Sequence, residues 1–187
     1  MGNVVTDMSM SLDGFIAAPN DVPGNGLGDD GMRLHNWMFD DPTVFDRVFG
    51  ELTETTGAVV MGRRTYDNSI SEWGDKGPLG DVPCFVLTHD PPEGAPSVFT
   101  FVPDGIERAH ELAQSAAGDK TIGVMGADVP RQFLAAGLVD EIRIHVVGVL
   151  LGGGRRMFDV LPDRVELEQV DVGQDPGVAH VSYRVVR

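Results

Sequence analysis

The residues best suited to chemistry lie in "VVMGRRTYD", Val59 to Asp67, where an apolar run stops at Gly62 and is followed at once by Arg63, Arg64 and Thr65. Adjacent guanidinium groups and a hydroxyl behind a glycine suit an anion. The glycine permits close backbone approach, and arginine forms bidentate, charge-assisted bonds to phosphate. A helix starting here sets both cations against the positive end of its dipole, a conflict that a bound anion removes. The chain carries 14 Lys and Arg against 29 Asp and Glu, a formal net charge of -15, so this cluster is a local exception. That balance argues against general affinity for nucleic acid or anionic membrane, both of which need an excess of surface cations.

Two further apolar runs end in the same manner. "CFVL" is followed by Thr88 and His89, and "TIGVM" by Gly126, Ala127, Asp128 and Val129. If the three runs are neighbouring parallel strands, these loops share the side of the sheet where ligands collect. Together they offer glycines, free N–H groups at helix starts and local positive charge, the equipment for a pyrophosphate plus one more phosphate. Asp128 itself repels phosphate and reads as a helix N-cap, with Pro130 in the first turn. "LLGGGRRMFD" sets three glycines before Arg155 and Arg156, either as a flexible turn or as a loop over a substrate. Trp37 is open between a core aromatic and a wall for a planar ring.

Several chemistries find no support. The histidines 35, 89, 110, 145 and 180 show no metal-ligand spacing and read as isolated residues; no metal is expected. A single cysteine, Cys84, excludes an intramolecular disulfide and reads as a buried strand thiol. No Ser-His-Asp or Cys-His pattern points to covalent catalysis. Nor does any apolar run reach the roughly 18 to 20 residues of a membrane span, and a cytoplasmic location is expected.

The elements that must position these residues follow from hydrophobic period. Strand-length runs rich in Val, Ile and Phe are "NVVTDMSM", "GAVVM", "PCFVLT", "SVFTFV", "TIGVM", "EIRIHVVGVLL", "VELEQVDV" and "VAHVSYRVV". Helical patterns cover 42–53, with Val44, Phe45, Val48, Phe49 and Leu52 on one face, then 106–117 and 129–137. "MSLDGFIA" reads as a strand, an Asp13-Gly14 turn and a second short strand. Alternating strands and helices predict an α/β fold with a mostly parallel central sheet, helices on both faces and an antiparallel C-terminal edge. The Pro/Gly-rich places are short and flanked by apolar runs, so residues 1–187 read as one domain.

Taken in order, "MSLDGFIA", "VVMGRRTYD", "CFVLTHDP", "IGVMGADVPRQFL" and "DEIRIHVVGVLLGGGRRMF" resemble the reductase domain of bacterial riboflavin biosynthesis, the RibD C-terminal domain, within the dihydrofolate reductase-like superfamily. The zinc deaminase domain that often precedes that reductase has no H-x-E or P-C-x-x-C counterpart here. The resemblance implies NADPH bound across the strand ends. Arg63 and Arg64 would meet the 2′-phosphate and pyrophosphate, and Thr65 a phosphate. Thr88 and His89 would flank the adenosine side, with Gly62 and the Gly126 to Val129 turn (Gly126, Ala127, Asp128, Val129) around the pyrophosphate. Ser9, Met10, Ile16 and Ala17 would line the nicotinamide side, and Asp13, Trp37, Arg155 and Arg156 the substrate. The activity implied is reduction of 5-amino-6-(5-phosphoribosylamino)uracil by direct hydride transfer, in a homodimer. A folate-type pterin reductase is the enzymatic alternative; it should present a carboxylate from the first long helix, whereas Asp46 and Glu51 point away from the apolar face of 42–53. A dimeric dinucleotide-binding protein without catalysis is the other. No residue is assigned as the proton donor.

Overall fold

The computed structural model describes residues 2–159 and 161–187. Its strands are β1 (Val4–Ser11), β2 (Phe15–Ala17), β3 (Thr56–Gly62), β4 (Cys84–Leu87), β5 (Phe99–Val102), β6 (Thr121–Val124), β7 (Glu141–Val147), β8 (Arg155–Arg156), β9 (Leu167–Asp175) and β10 (Val178–Val185). Eight of them form one sheet in the order β5-β4-β3-β6-β1-β7-β10-β9, and β2 pairs with β8 apart from it. Pairing is parallel from β5 through β7, and β10 then runs antiparallel to both β7 and β9. The expected mostly parallel sheet with an antiparallel C-terminal edge is present.

Period-two alternation divides the central strands between two faces. Val4, Ala58, Val60, Phe85, Ile122, Val124, Ile142 and Ile144 point to one face. There they pack with Ala109, Ala113 and Ala117 of helix α4 (Ile106–Ala117) and Phe133 and Leu134 of helix α5 (Asp128–Ala135). The alanines at i, i+4 and i+8 let α4 lie close to the sheet. Val59, Met61, Cys84, Val86 and Phe99 point the other way, against Tyr66, Ile70 and Trp73 of α3 (Arg63–Trp73). Helix α3 is absent from the periodic runs of the sequence because its apolar stripe is only these three residues. Burial also pushes the Cys84 thiol up to about 12, which leaves it protonated and inert.

Two sequence expectations change. The run "EIRIHVVGVLL" does not continue as one strand, because Val147 is the last β7 residue with a partner on either side, Ser11 of β1 and Val178 of β10. Helix α2 (Pro42–Thr55) carries the predicted apolar face, but no residue on it is fully buried. Phe45, Val48, Phe49 and Leu52 look instead across a cleft between α2 and the sheet. A short 3-10 turn (Gly31–Leu34) and a one-turn helix α1 (Asn36–Phe39) close one end of it.

Candidate functional site

Strands β3 and β6 are parallel neighbours, and each feeds a helix within a few residues of its C-terminal end: α3 starts at Arg63 and α5 at Asp128. The two helix N-termini are therefore side by side. A Cβ built on Gly126 would lie 2.6 Å from Thr65 Oγ1, and one on Gly62 would lie 3.3 Å from Val129 Cγ2. Gly126 also has φ +88, a left-handed conformation that side chains resist. No side chain caps either helix, so both present first-turn N–H groups and the positive ends of their dipoles. Asp128 is not the N-cap the sequence suggested. Ala127 holds that position, and the Asp128 carboxylate pairs with Arg131 one turn on.

Both arginines already have internal anions. Arg63 Nε donates to Asp67 Oδ1 at 2.7 Å, and its Nη1 donates to the Asp90 carbonyl. The Asp90 N–H in turn donates to Thr88 Oγ1 at 3.1 Å, which ties the loop after β4 to Arg63. Arg64 forms a fork on Asp21, Nε to Oδ2 at 3.1 Å and Nη2 to Oδ1 at 3.0 Å. Arg155 Nε reaches the same carboxylate at 2.9 Å. Burial raises the Asp21 pKa, but the hydrogen bonds and charges of Arg64 and Arg155 outweigh it and hold the carboxyl below its usual range. The dipole conflict read from the sequence is thus answered, in the protein alone, by carboxylates of the chain itself.

These loops open onto a cleft of ≈ 720 Å³ between the sheet and α2. Of the positions singled out in the sequence, Gly62, Arg63, Arg64 and Thr65 line it, as do Gly126, Ala127, Asp128 and Val129. Ser9, Ile16, Ala17, Trp37 and Arg155 line the remainder. Thr88, His89, Asp13 and Arg156 are not among the lining residues. Asp13 accepts from Ser11 Oγ at 2.6 Å, Gly152 N–H at 2.7 Å and Leu151 N–H at 3.1 Å, so its carboxylate clamps two turns together. The Arg156 guanidinium lies 4.5 Å from the Phe15 ring centroid and donates to the Asp13 carbonyl. Both are occupied in joining β2 to β8.

The sequence reading also missed a polar row on the cleft side of the sheet. Asp7 and Ser9 of β1 stand in register with Arg143 and His145 of β7, and His145 with His180 of β10. His145 and His180 are not isolated residues. Their rings pack 4.8 Å apart, and each lies 4.9 Å from the Trp37 ring, whose Nε1 donates to Ser9 Oγ at 3.1 Å. The available signal was polar residues at i and i+2 in strands that a parallel sheet covers on both faces.

His35, which also lines the cleft, holds a buried Nδ1 without a hydrogen-bond partner among the described residues. Burial, and secondarily the nearby His145, lowers its pKa from 6.5 to about 4. The folded value lies below the unfolded one, so as pH falls from about 6.5 toward 4 the unfolded chain gains the proton first and stability declines; below 4 the decline stops. At pH 5 the loss from this residue is at most about 2 kcal/mol. A lower denaturant midpoint at pH 5 than at pH 7, with a smaller difference in His35→Gln, is expected. An identical pH slope in the variant overturns the assignment.

A family model described as the RibD C-terminal domain matches residues 110–181. A structure of a putative riboflavin biosynthesis protein from Shewanella sp. PV-4 is 26% identical, with 100% of each chain covered and a TM-score of 0.77. Dihydrofolate reductase HdrB of Haloferax volcanii is 42% identical over 96 residues, 46% of each chain. The dihydrofolate reductase of Enterococcus faecalis, solved with NADP(H), superimposes with a TM-score of 0.59 over 98% of this chain and 96% of that one, at 17% identity. Over residues 110–181, then, the chain matches the RibD C-terminal domain model, and over its whole length its fold is like that of the putative riboflavin biosynthesis protein and of the dihydrofolate reductase.

Proposed function

We propose that residues 1–187 form a single-domain, cytoplasmic, NADPH-dependent reductase of a phosphoribosylamino-pyrimidine, of the 5-amino-6-(5-phosphoribosylamino)uracil type. The observation that carries it is the pair of uncapped helix N-termini meeting beside Arg63 and Arg64, with Gly126 allowing Thr65 to approach the second turn closely. That arrangement fits a dinucleotide: N–H groups of the Gly126 to Val129 turn and Thr65 for the pyrophosphate, and a guanidinium for the 2′-phosphate. Ser9, Ile16 and Ala17, farther along the same cleft, would face the nicotinamide. When bound, this cofactor supplies the hydride. The chain's part is to align the reacting carbons and exclude water, for which the apolar wall of Phe45, Val48, Phe49 and Leu52 faces the sheet. Trp37 offers a flat side for the pyrimidine.

A pterin substrate is the second reading, favoured by the partial match to HdrB. Against it, the cleft side of α2 carries no carboxylate to accept from the paired N–H donors of a pterin. A homodimer belongs with either reading: Leu167, Val170 and Val172 are exposed on the edge strand β9, where a second copy would cover them. Calorimetric titration with NADPH and, separately, NADH tests the cofactor. A clear preference for NADPH is expected, followed by turnover of the uracil in preference to dihydrofolate. Equal affinity for the two cofactors, or none for either, overturns the assignment.

A further inference from the structure

Four titratable side chains form an unbroken chain across four strands of the sheet. Asp7 Oδ1 lies 2.7 Å from His145 Nε2, His145 Nδ1 lies 2.6 Å from His180 Nδ1, and His180 Nε2 lies 3.1 Å from Asp175 Oδ2. The hydrogen count follows from these contacts. Two nitrogen lone pairs cannot face each other at 2.6 Å, so one hydrogen lies between the Nδ1 atoms. Each Nε2 faces a carboxylate and needs a hydrogen of its own. Filling all three contacts places three N–H hydrogens on two imidazoles, which is one positive charge held between two carboxylates.

The surroundings favour one such charge over none or two. Asp7 and Asp175 flank it, while Arg47 on Asp175 at 2.8 Å, and Arg143 at 4.0 Å from Asp7 and 2.6 Å from Glu141, add cations on either side. Glu51 acts on Arg143 from α2, and His35, behind α1, offers only a buried neutral ring. Burial, then the proximity of His145, disfavours a full separate charge on His180, with Asp175 opposing. Trp37 packs on both rings, and of the four members Asp7 and His145 line the cleft while His180 and Asp175 do not. Both ring nitrogens of His145 are engaged, Nε2 with Asp7 and Nδ1 with His180, so a proton leaving the pair toward the cleft passes to Asp7.

We infer that the His145–His180 pair is a proton reservoir that supplies the cleft through Asp7. The inference rests on the reductase reading and provides the proton that hydride addition to a C=N bond requires. Once the carbon has taken the hydride and its electron pair, the nitrogen is left with a negative charge. The His145 Nε2 proton passes to the Asp7 carboxylate and from it to that nitrogen, forming the new N–H bond. The hydrogen between the rings settles on His145 Nδ1. The pair falls from three N–H hydrogens to two and loses its positive charge, Asp7 ends as the carboxylate it began as, and water reloads the pair after product leaves. Asp7 is the catalytic group; His145, His180 and Asp175 hold and position the proton.

Two measurements test this, the first without any ligand. In histidine-selective nitrogen NMR of the free protein, both rings are expected to shift together through one common transition with uptake of a single proton, and His180→Gln should abolish it. Two separate transitions, each moving one ring, overturn the reservoir. In the second, Asp7→Asn, close to isosteric and checked by thermal melting, should lower kcat with the phosphoribosylamino-uracil about 100-fold while leaving the NADPH Kd unchanged. Wild-type kcat should fall as pH rises through the common transition, whereas His180→Gln should lower kcat below that transition and flatten the fall across it, with KM unchanged. Unaltered kcat and pH profile in Asp7→Asn overturn the inference. If the wild-type protein binds no NADPH, the reductase reading fails by itself, and the reservoir stands or falls on the common transition.

Discussion

Replacing Arg63 and Arg64 together by Ala is expected to weaken NADPH binding about 100-fold and NADH, which shares only the pyrophosphate, far less. A hydrogen bond to a charged group contributes about 1.5 to 3 kcal/mol. In the free protein, however, each guanidinium already holds a carboxylate, Asp67 for Arg63 and Asp21 for Arg64. Phosphate has to displace or share those partners. Pairs at this exposure contribute about 0 to 1 kcal/mol, so roughly 1 to 2 kcal/mol per arginine survives, or about 3 kcal/mol for both. That is the stated factor of 100. The carboxylates predict an opposite sign for a second variant. Asp21→Asn removes the internal competitor for Arg64 and Arg155, and should tighten NADPH while loosening the loop it anchors. Calorimetry on the wild type and these two variants checks both signs. Parallel losses for NADPH and NADH in the arginine variant would remove the 2′-phosphate from this site.

Gly154→Ala is expected to cost at least about 3 kcal/mol of stability, the largest single-residue effect anticipated outside the helices. Gly154 has φ +119, and a Cβ there would lie 2.0 Å from the Ala17 carbonyl oxygen and 2.8 Å from the Ala18 carbonyl carbon. Both obstacles are backbone, so no rotamer change relieves them. The nearest relief is separation of β8 from β2, where Ala17 pairs with Arg155. Separation would carry Arg155 away from Asp21 and free the loop beneath it. The expected signature is a lowered denaturant midpoint together with weaker cofactor binding. Gly152→Ala, three residues before Arg155, is the control, since its Cβ meets nothing within 4 Å and only its φ of +71 is strained. A midpoint for Gly154→Ala equal to that of the control would show that β8 yields without cost.

The two glycine turns proposed to hold the cofactor are legible in the sequence because their information is local. A glycine at the end of an apolar run, followed by cations or a helix start, states its own backbone geometry, and parallel order follows from alternation of strands and helices. Hence Gly62 to Thr65 and Gly126 to Val129 stand out from the sequence, and the structure brings them within contact of one another. The partners of the arginines were not legible, since Asp21 is 43 residues from Arg64 and 134 from Arg155, and nothing in a loop's composition states which carboxylate it delivers. The same limit hid the proton chain. Asp7, His145 and His180 are separated by 138 and 35 residues, and only the register of β1, β7 and β10 sets them in one row. The amino-acid sequence by itself determined which segments become strands of the eight-stranded sheet, which face of α2 is apolar, and where glycine turns end strands, because those depend on period and on residues close in the chain; β8, in the glycine-rich turn, it did not. Tertiary structure alone decided that the apolar face of α2 borders a cleft instead of sealing a core, and that two carboxylates and two histidines stand in one contiguous row, because both depend on which distant strands and loops meet.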